Sequence, residues 1–161
     1  MDKTIQYFIK KTKRLSNYIY IQNKFNLDAL YEDHPEYKKV IGSNGKDKRF
    51  RNNIFEKIDA FTEKKKNDDD IKVLGVINNK RVWRYLPIKY FDMSHENISK
   101  YKILIPRSNG SGALGEVLST PLIGEPLIGY TQTFIGLGSF DKKKKPKQHL
   151  NTLKVSLQEL C

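Results

Sequence analysis

The chain has a single cysteine, Cys161, at its very end. With one thiol there is neither a disulfide framework nor a cysteine-based zinc cluster. The three histidines, His34, His95 and His149, are scattered, with no second ligand at metal spacing. No uncharged apolar run approaches the ~20 residues of a membrane span, and the first residues lack the apolar core of a signal peptide. Together these absences lead to the expectation of a soluble, cytoplasmic protein without a membrane partner. Signatures of self-sufficient chemistry are missing too. No G-x-S-x-G elbow, Walker loop or dinucleotide fingerprint occurs. Ser108-Asn109-Gly110-Ser111-Gly112 looks like a phosphate cradle only superficially, since no Lys-Ser/Thr pair or helix start follows it.

Negative charge is scarce: 18 acidic residues face 30 Lys and Arg, a net charge of +12 over 161 residues. That length suits one domain large enough to bury a core without a staple. The excess is uneven. Residues 142–161 hold six lysines and one acid, and so carry five of the twelve net positive charges. Residues 1–141 are only moderately basic, compatible with a nucleic-acid-binding face. Between Ile103 and Phe140 only Arg107, Glu116 and Glu125 are charged, and seven of the ten glycines fall there. The expected division is a body over residues 1–141 and an atypical Lys-rich tail over 142–161.

Along the chain, Ile5, Phe8, Ile9 and Leu15 mark one helical face opposite Lys10, Lys11, Lys13 and Arg14. Asn17 to Ile21 alternates like a strand. Residues 32–49 read as loop, and Phe50, Ile54, Ile58 and Phe61 predict a helix from Arg49 to about Phe61. The Lys64–Asp70 stretch is a polar connector. Ile71–Ile77 and Arg81–Leu86 flank Asn78-Asn79, a pair that tolerates φ > 0 and predicts a tight hairpin. Ser94 is placed to cap one helical turn through Ile98. Tyr101–Ile105 predicts a strand ended by Pro106. Residues 121–129, with Pro-Leu-Ile-Gly twice, predict an irregular apolar loop, and Tyr130–Leu137 the last strand. The expected fold class is α+β: N-terminal helices packed on a twisted, mostly antiparallel sheet with long irregular loops.

One faint enzymatic pattern exists. Asp59 and Asp70, with Lys72 leading into an apolar strand, are the residue types that hold Mg²⁺ and position a water for phosphodiester cleavage. Each has a plainer explanation, Asp59 on a helix surface and Asp70 in an acidic connector. The expectation is therefore no catalytic residue and no metal ligand in this chain, with a metal-dependent nuclease as the alternative.

The stretch from Tyr101 through Pro106-Arg107-Ser108-Asn109-Gly110-Ser111-Gly112-Ala113, then Gly124-Glu125-Pro126 and Tyr130-Thr131-Gln132-Thr133-Phe134, resembles the C-terminal target-recognition region of type II restriction-modification adenine methyltransferases. These include the bifunctional type IIS/IIG enzymes that join endonuclease, methyltransferase and recognition parts. Leu15-Ser16-Asn17-Tyr18 and Arg81-Val82-Trp83-Arg84-Tyr85 resemble the same region more loosely. The family's Asn/Asp-Pro-Pro-Tyr/Phe motif and glycine-rich S-adenosylmethionine loop are absent from the chain. The resemblance thus implies double-stranded DNA recognition without catalysis; S-adenosylmethionine and Mg²⁺ would belong to the parent enzyme, or to a separate methyltransferase or endonuclease chain. Beyond Asp141 the Lys-rich tail departs from the family, which suggests a truncated chain with a shifted reading frame. Such a chain would leave an apolar face uncovered and open to self-association; a non-functional gene remnant is the blandest reading.

A recognition surface needs groups for phosphates and groups for base edges, Arg for guanine and Asn or Gln for adenine. The candidates are Lys80, Arg81 and Arg84 by the hairpin, Arg107, Asn109 and Ser111 in the small-residue loop, and Gln132 and Thr133 on the last strand. The plainer alternatives are a solvated hairpin face for Arg81 and Arg84, a turn former at Asn109, and a bond from Gln132 to a neighbouring loop. Trp83 is expected in the core.

Overall fold

The computed structural model describes residues 19–107, 121–144, 146 and 147. The amphipathic segment before Ile19, the loop residues Asn109 and Ser111, and the tail after Lys147 lie outside the described residues. The fold is α+β, as expected, but its strands divide between two sheets. Strand β1 (Ile19–Tyr20) leads to helices α1 (Leu27–Asp33), α2 (Tyr37–Ile41) and α3 (Ile54–Lys57). Strands β2 (Asp70–Ile77), β3 (Lys80–Pro87), β4 (Tyr101–Pro106), β5 (Leu122–Gly124), β6 (Ile128–Tyr130) and β7 (Phe134–Phe140) follow. One sheet has the order β1-β7-β4-β5 and is antiparallel; the other runs β3-β2-β6, with β6 parallel to β2.

The hairpin is the element that local sequence alone dictates. Asn78 and Asn79 adopt φ values of 51° and 60°, the left-handed pair a two-residue turn of this twist requires. β2 and β3 stay in unbroken register from Ile77↔Lys80 to Asp70↔Pro87. The connector before it is anchored by Asp70, whose carboxylate accepts from the backbone N–H of Lys66 and Asn67 at 2.8 and 2.9 Å.

Five segments depart from expectation. Residues 32–49 are not a loop: they contain the end of α1, all of α2 and a 3₁₀ turn over Gly42–Asp47. The Asn26 side chain caps α1 by accepting from Ala29 N–H, and Leu27, Leu30, Tyr37 and Ile41 supply the buried stripe. The helix expected from Arg49 to Phe61 contracts to Ile54–Lys57. Phe50, Ile54, Ile58 and Phe61 are all buried, but the backbone around Phe50 is spent elsewhere. Phe50 N–H donates to Asn23 and its carbonyl accepts from Gln132 N–H, while Arg49 bridges Lys24.

Ser94 caps no helix; Asp92 accepts from both its N–H and its hydroxyl, and residues 96–99 form turns. Finally, the strand expected over Tyr130–Leu137 breaks at Thr131–Thr133 into β6 and β7, which belong to different sheets. Thr131 N–H donates to Leu74, and Phe134 N–H turns back onto Thr131. The apolar repeat before it contributes the short strands β5 and β6, joined by a turn with Leu127 at φ 59°.

Two clusters make the core. The larger gathers Phe25, Phe50, Phe61 and Phe91 with aliphatics of α1, α2, β2 and β3. The smaller joins Leu74, Leu104, Tyr130 and Phe134, with half-buried Trp83 packed against it. The exposed large apolar side chains Ile19, Ile21, Val40, Met93 and Leu127 come from four separate stretches of chain. Among the described residues no helix is long and apolar enough to cross a membrane.

Candidate nucleic-acid interface

The break between β6 and β7 brings together residues that are distant in sequence. β4 and β7 pair antiparallel with Pro106 opposite Phe134, so the chain leaving β4 lies beside the turn entering β7. Arg107 N–H donates to the Thr133 carbonyl at 2.8 Å. The Thr133 hydroxyl lies 3.4 Å from the side-chain oxygen of Asn52, and Gln132 N–H donates to Phe50 at 2.8 Å. Gln132 and Thr133 therefore sit in a turn, not on a strand, as half-buried residues beside exposed Arg107. A turn can present side chains outward that a paired strand would alternate between two faces.

Arg81 reaches the same neighbourhood. Its guanidinium carbon lies 5.7 Å from the centre of the Phe134 ring, a cation–π placement, and burial pulls its pKa below the ordinary arginine value. The other two hairpin candidates stand apart. Arg84 is three positions further along β3 and so faces the opposite side of the strand. Its guanidinium donates to the Trp83 carbonyl at 3.0 Å and lies 3.7 Å from Glu63. Lys80 is exposed at the hairpin end. Of the eight sequence candidates, Arg81, Arg107, Gln132 and Thr133 come together; Arg84 does not join them.

Sequence reasoning missed the support of this cluster. Gln22 and Asn23 are fully buried. The Gln22 side-chain oxygen accepts from the Arg107 guanidinium at 3.3 Å. Asn23 ties three segments together: its N–H donates to Tyr130, its carbonyl accepts from Phe50 N–H, and its side-chain oxygen accepts from Tyr130 N–H at 2.9 Å. Arg51, next to Asn52, is held by Asp47 at 3.0 Å. Buried polar atoms without a hydrogen-bond partner among the described residues concentrate here as well: Gln22 Nε2, Asn23 Nδ2, Arg49 Nε, Arg51 Nε and Thr131 Oγ1. Such atoms are rare in folded proteins, and their clustering marks a place whose polar capacity exceeds what folding uses. Gln22-Asn23 is a polar pair directly after a β-like run, and nothing local in the sequence marks it as part of a site.

The residues of the alternative nuclease pattern are each held in a structural role. The Tyr37 hydroxyl donates to the Asp59 carboxylate, and that bond keeps the carboxyl below its usual pKa. Lys72 Nζ lies 4.4 Å from the Trp83 ring centre. Burial would raise the Asp70 carboxyl, but the N–H groups of Asn67 and Lys66 outweigh it and hold the pKa below the ordinary value. Asp70 thus contributes stability that is complete above the unfolded carboxylate range, near pH 4, and is lost as pH falls through the lowered folded value. Asp70→Ala should accordingly cost about 1–3 kcal/mol at pH 7 and much less near pH 2, measured by urea unfolding at the two pH values. An equal cost at both would show that the anchoring charge contributes nothing.

Among the described residues no three His, Cys, Asp or Glu side chains gather in a way that could hold a metal ion. Comparisons of the chain with protein-family models, with curated proteins and with solved structures returned no match.

Proposed function

We propose that the chain is a double-stranded DNA recognition domain of the restriction-modification kind, working in the cytoplasm with catalysis, S-adenosylmethionine and Mg²⁺ supplied by a separate methyltransferase or endonuclease chain. The observation that carries this reading is the meeting of Arg107, Gln132 and Thr133 at one turn, with Arg81 and Asn52 beside them. An exposed arginine and a glutamine are the side chains that read guanine and adenine edges, while Lys80 and Arg81 supply charge for phosphates. A net charge of +12 favours such a polyanionic partner.

The test selects bound sequences from a random duplex library with the full chain, then measures affinity for selected and unselected duplexes across salt concentrations. Salt-dependent binding without cleavage is the expected result. Arg107→Ala and Gln132→Ala should each lower the preference for the selected site about tenfold, with much smaller effects on general affinity. Equal losses on every duplex would remove the base-reading assignment. Cutting of plasmid that requires Mg²⁺ and vanishes in Asp70→Ala would replace the proposal with the nuclease.

A further inference from the structure

We infer that Gln22 is a positioning residue for Arg107: from a seat inside the fold its side-chain oxygen fixes the direction of the Arg107 guanidinium, and so sets that arginine's preference for guanine. Only the last step rests on the DNA-recognition reading.

Gln22 is fully buried and cannot touch a duplex, whereas Arg107 is exposed. The two meet through Arg107 Nη2, which donates to Gln22 Oε1 at 3.3 Å. Arg107 is held at its other end by the bond from its N–H to Thr133, so both its backbone and its guanidinium are tied down. The seat is firm. Asn23, the next residue, bonds to Tyr130 twice and to Phe50 once, locking this stretch between the two core clusters.

Packing does not account for a glutamine here. Among the described residues the buried Gln22 Nε2 has no partner, and an apolar side chain of similar size would avoid stranding that donor. Among the described residues the side chain's one hydrogen bond is to Arg107. Guanidinium chemistry fits the role. Arginine carries five N–H donors in a rigid fork, and the bond to Gln22 uses one of them. An edge with two parallel donors remains, matched to O6 and N7 of guanine. A flexible arginine would meet phosphates as readily as bases; a fixed one discriminates.

The experiment compares the full chain with Gln22→Leu, Gln22→Glu and Arg107→Ala on the selected duplex and on single-base variants of it. Gln22→Leu should lose about tenfold in preference at one G·C pair, the same pair affected by Arg107→Ala. Its salt dependence should match that of the unaltered chain, because no phosphate contact is lost. Gln22→Glu keeps the acceptor and should keep the preference. Full preference in Gln22→Leu, or an equal loss on all duplexes, overturns the inference.

A second measurement needs no DNA. Exchange of the Arg107 guanidinium protons, followed by NMR on the free chain, should be faster in Gln22→Leu and unchanged in Gln22→Glu. Unchanged exchange in Gln22→Leu means that Gln22 does not hold Arg107, whatever the DNA results. Faster exchange in a chain that binds no duplex brings down the DNA-recognition reading, while the hold of Gln22 on Arg107 stands.

Discussion

Unfolding of the chain by urea should become steadily harder between pH 7 and pH 10, and Lys102→Met should flatten that rise. Lys102 is fully buried on β4, with no carboxylate beside it among the described residues; its Nζ donates to the carbonyls of Asn97 at 2.9 Å and Ile98 at 3.4 Å. Burial lowers its pKa from the usual 10.5 to about 7. Between those values the unfolded chain binds a proton that the native chain does not. By linkage, stability then rises with pH, at up to about 1.4 kcal/mol per pH unit. The rise begins as pH passes the lowered folded value, and below it the charged amine is present in both states.

Among the described residues the other groups with shifted values leave this window clear. Asp33, Asp59, Asp70 and Asp92 have lowered carboxyl pKa values and titrate in acid. Burial pushes the His95 imidazole below its ordinary 6.5. Tyr37 and Tyr130 are pushed up, so their unfolded forms ionise first and stability falls only above about pH 10. The expected gain from pH 7 to pH 10 is roughly 3–4 kcal/mol. Methionine matches the lysine stem in length and cannot be charged, so Lys102→Met should be the more stable protein at pH 7. A flat profile in the unaltered chain, or an unchanged slope in Lys102→Met, would show that Lys102 keeps its charge inside the fold.

Nothing in the sequence announced that lysine. In Tyr101-Lys102-Ile103 simple alternation sends Lys102 to solvent, yet β4 shifts register against β7 between Tyr101 and Ile103, and Lys102, Ile103 and Leu104 are buried in succession. Its partner across β5, Gly124, has no side chain; a Cβ there would stand 3.1 Å from the lysine's Cε and Cγ.

The same contrast between local and distant causes runs through the fold. Asn78-Asn79 was legible because a two-residue turn is decided by those two residues. The spacing of Phe50, Ile54, Ile58 and Phe61 correctly marked burial but not helix, because hydrogen bonds to Asn23 and Gln132 claim the backbone at Phe50. Alternation across Tyr130–Leu137 was lost with the strand, which is pulled apart by bonds to Leu74 and Phe50: Tyr130 and Thr131 are buried in succession, and so are Gly136 and Leu137. Arg107, Gln132 and Thr133 could be named individually from side-chain chemistry; that they meet follows from the pairing of Pro106 with Phe134. Gln22 and Asn52 could not be named at all, since only long-range pairing brings them there.

Gly136→Ala should cost about 3 kcal/mol or more. A Cβ at Gly136 would stand 2.4 Å from the Tyr130 hydroxyl and 2.7 Å from Asn97 Nδ2. Neither neighbour can yield cheaply. Both residues are fully buried, and the Asn97 amide bonds to the Tyr130 hydroxyl at 3.2 Å. Moving the tyrosine would strain its backbone bonds to Asn23, and through them the seat of Gln22. Moving Asn97 would disturb the carbonyl that accepts from Lys102.

The loss has two parts, an overlap and a broken buried hydrogen bond, and a double-mutant cycle separates them. Tyr130→Phe alone removes the hydroxyl and should cost about 1–2 kcal/mol, because the Asn97 amide loses its partner. In the double variant the closest overlap is gone, so the summed single costs should exceed the double cost by at least about 1 kcal/mol. Additive costs would mean that Gly136 is required for some reason other than the approach of Tyr130, and that the β7 backbone does not press on this hydroxyl. Coupling of the expected sign would place Gly136, Tyr130 and Asn97 in one unit, the same unit whose backbone holds the turn that presents Gln132 and Thr133.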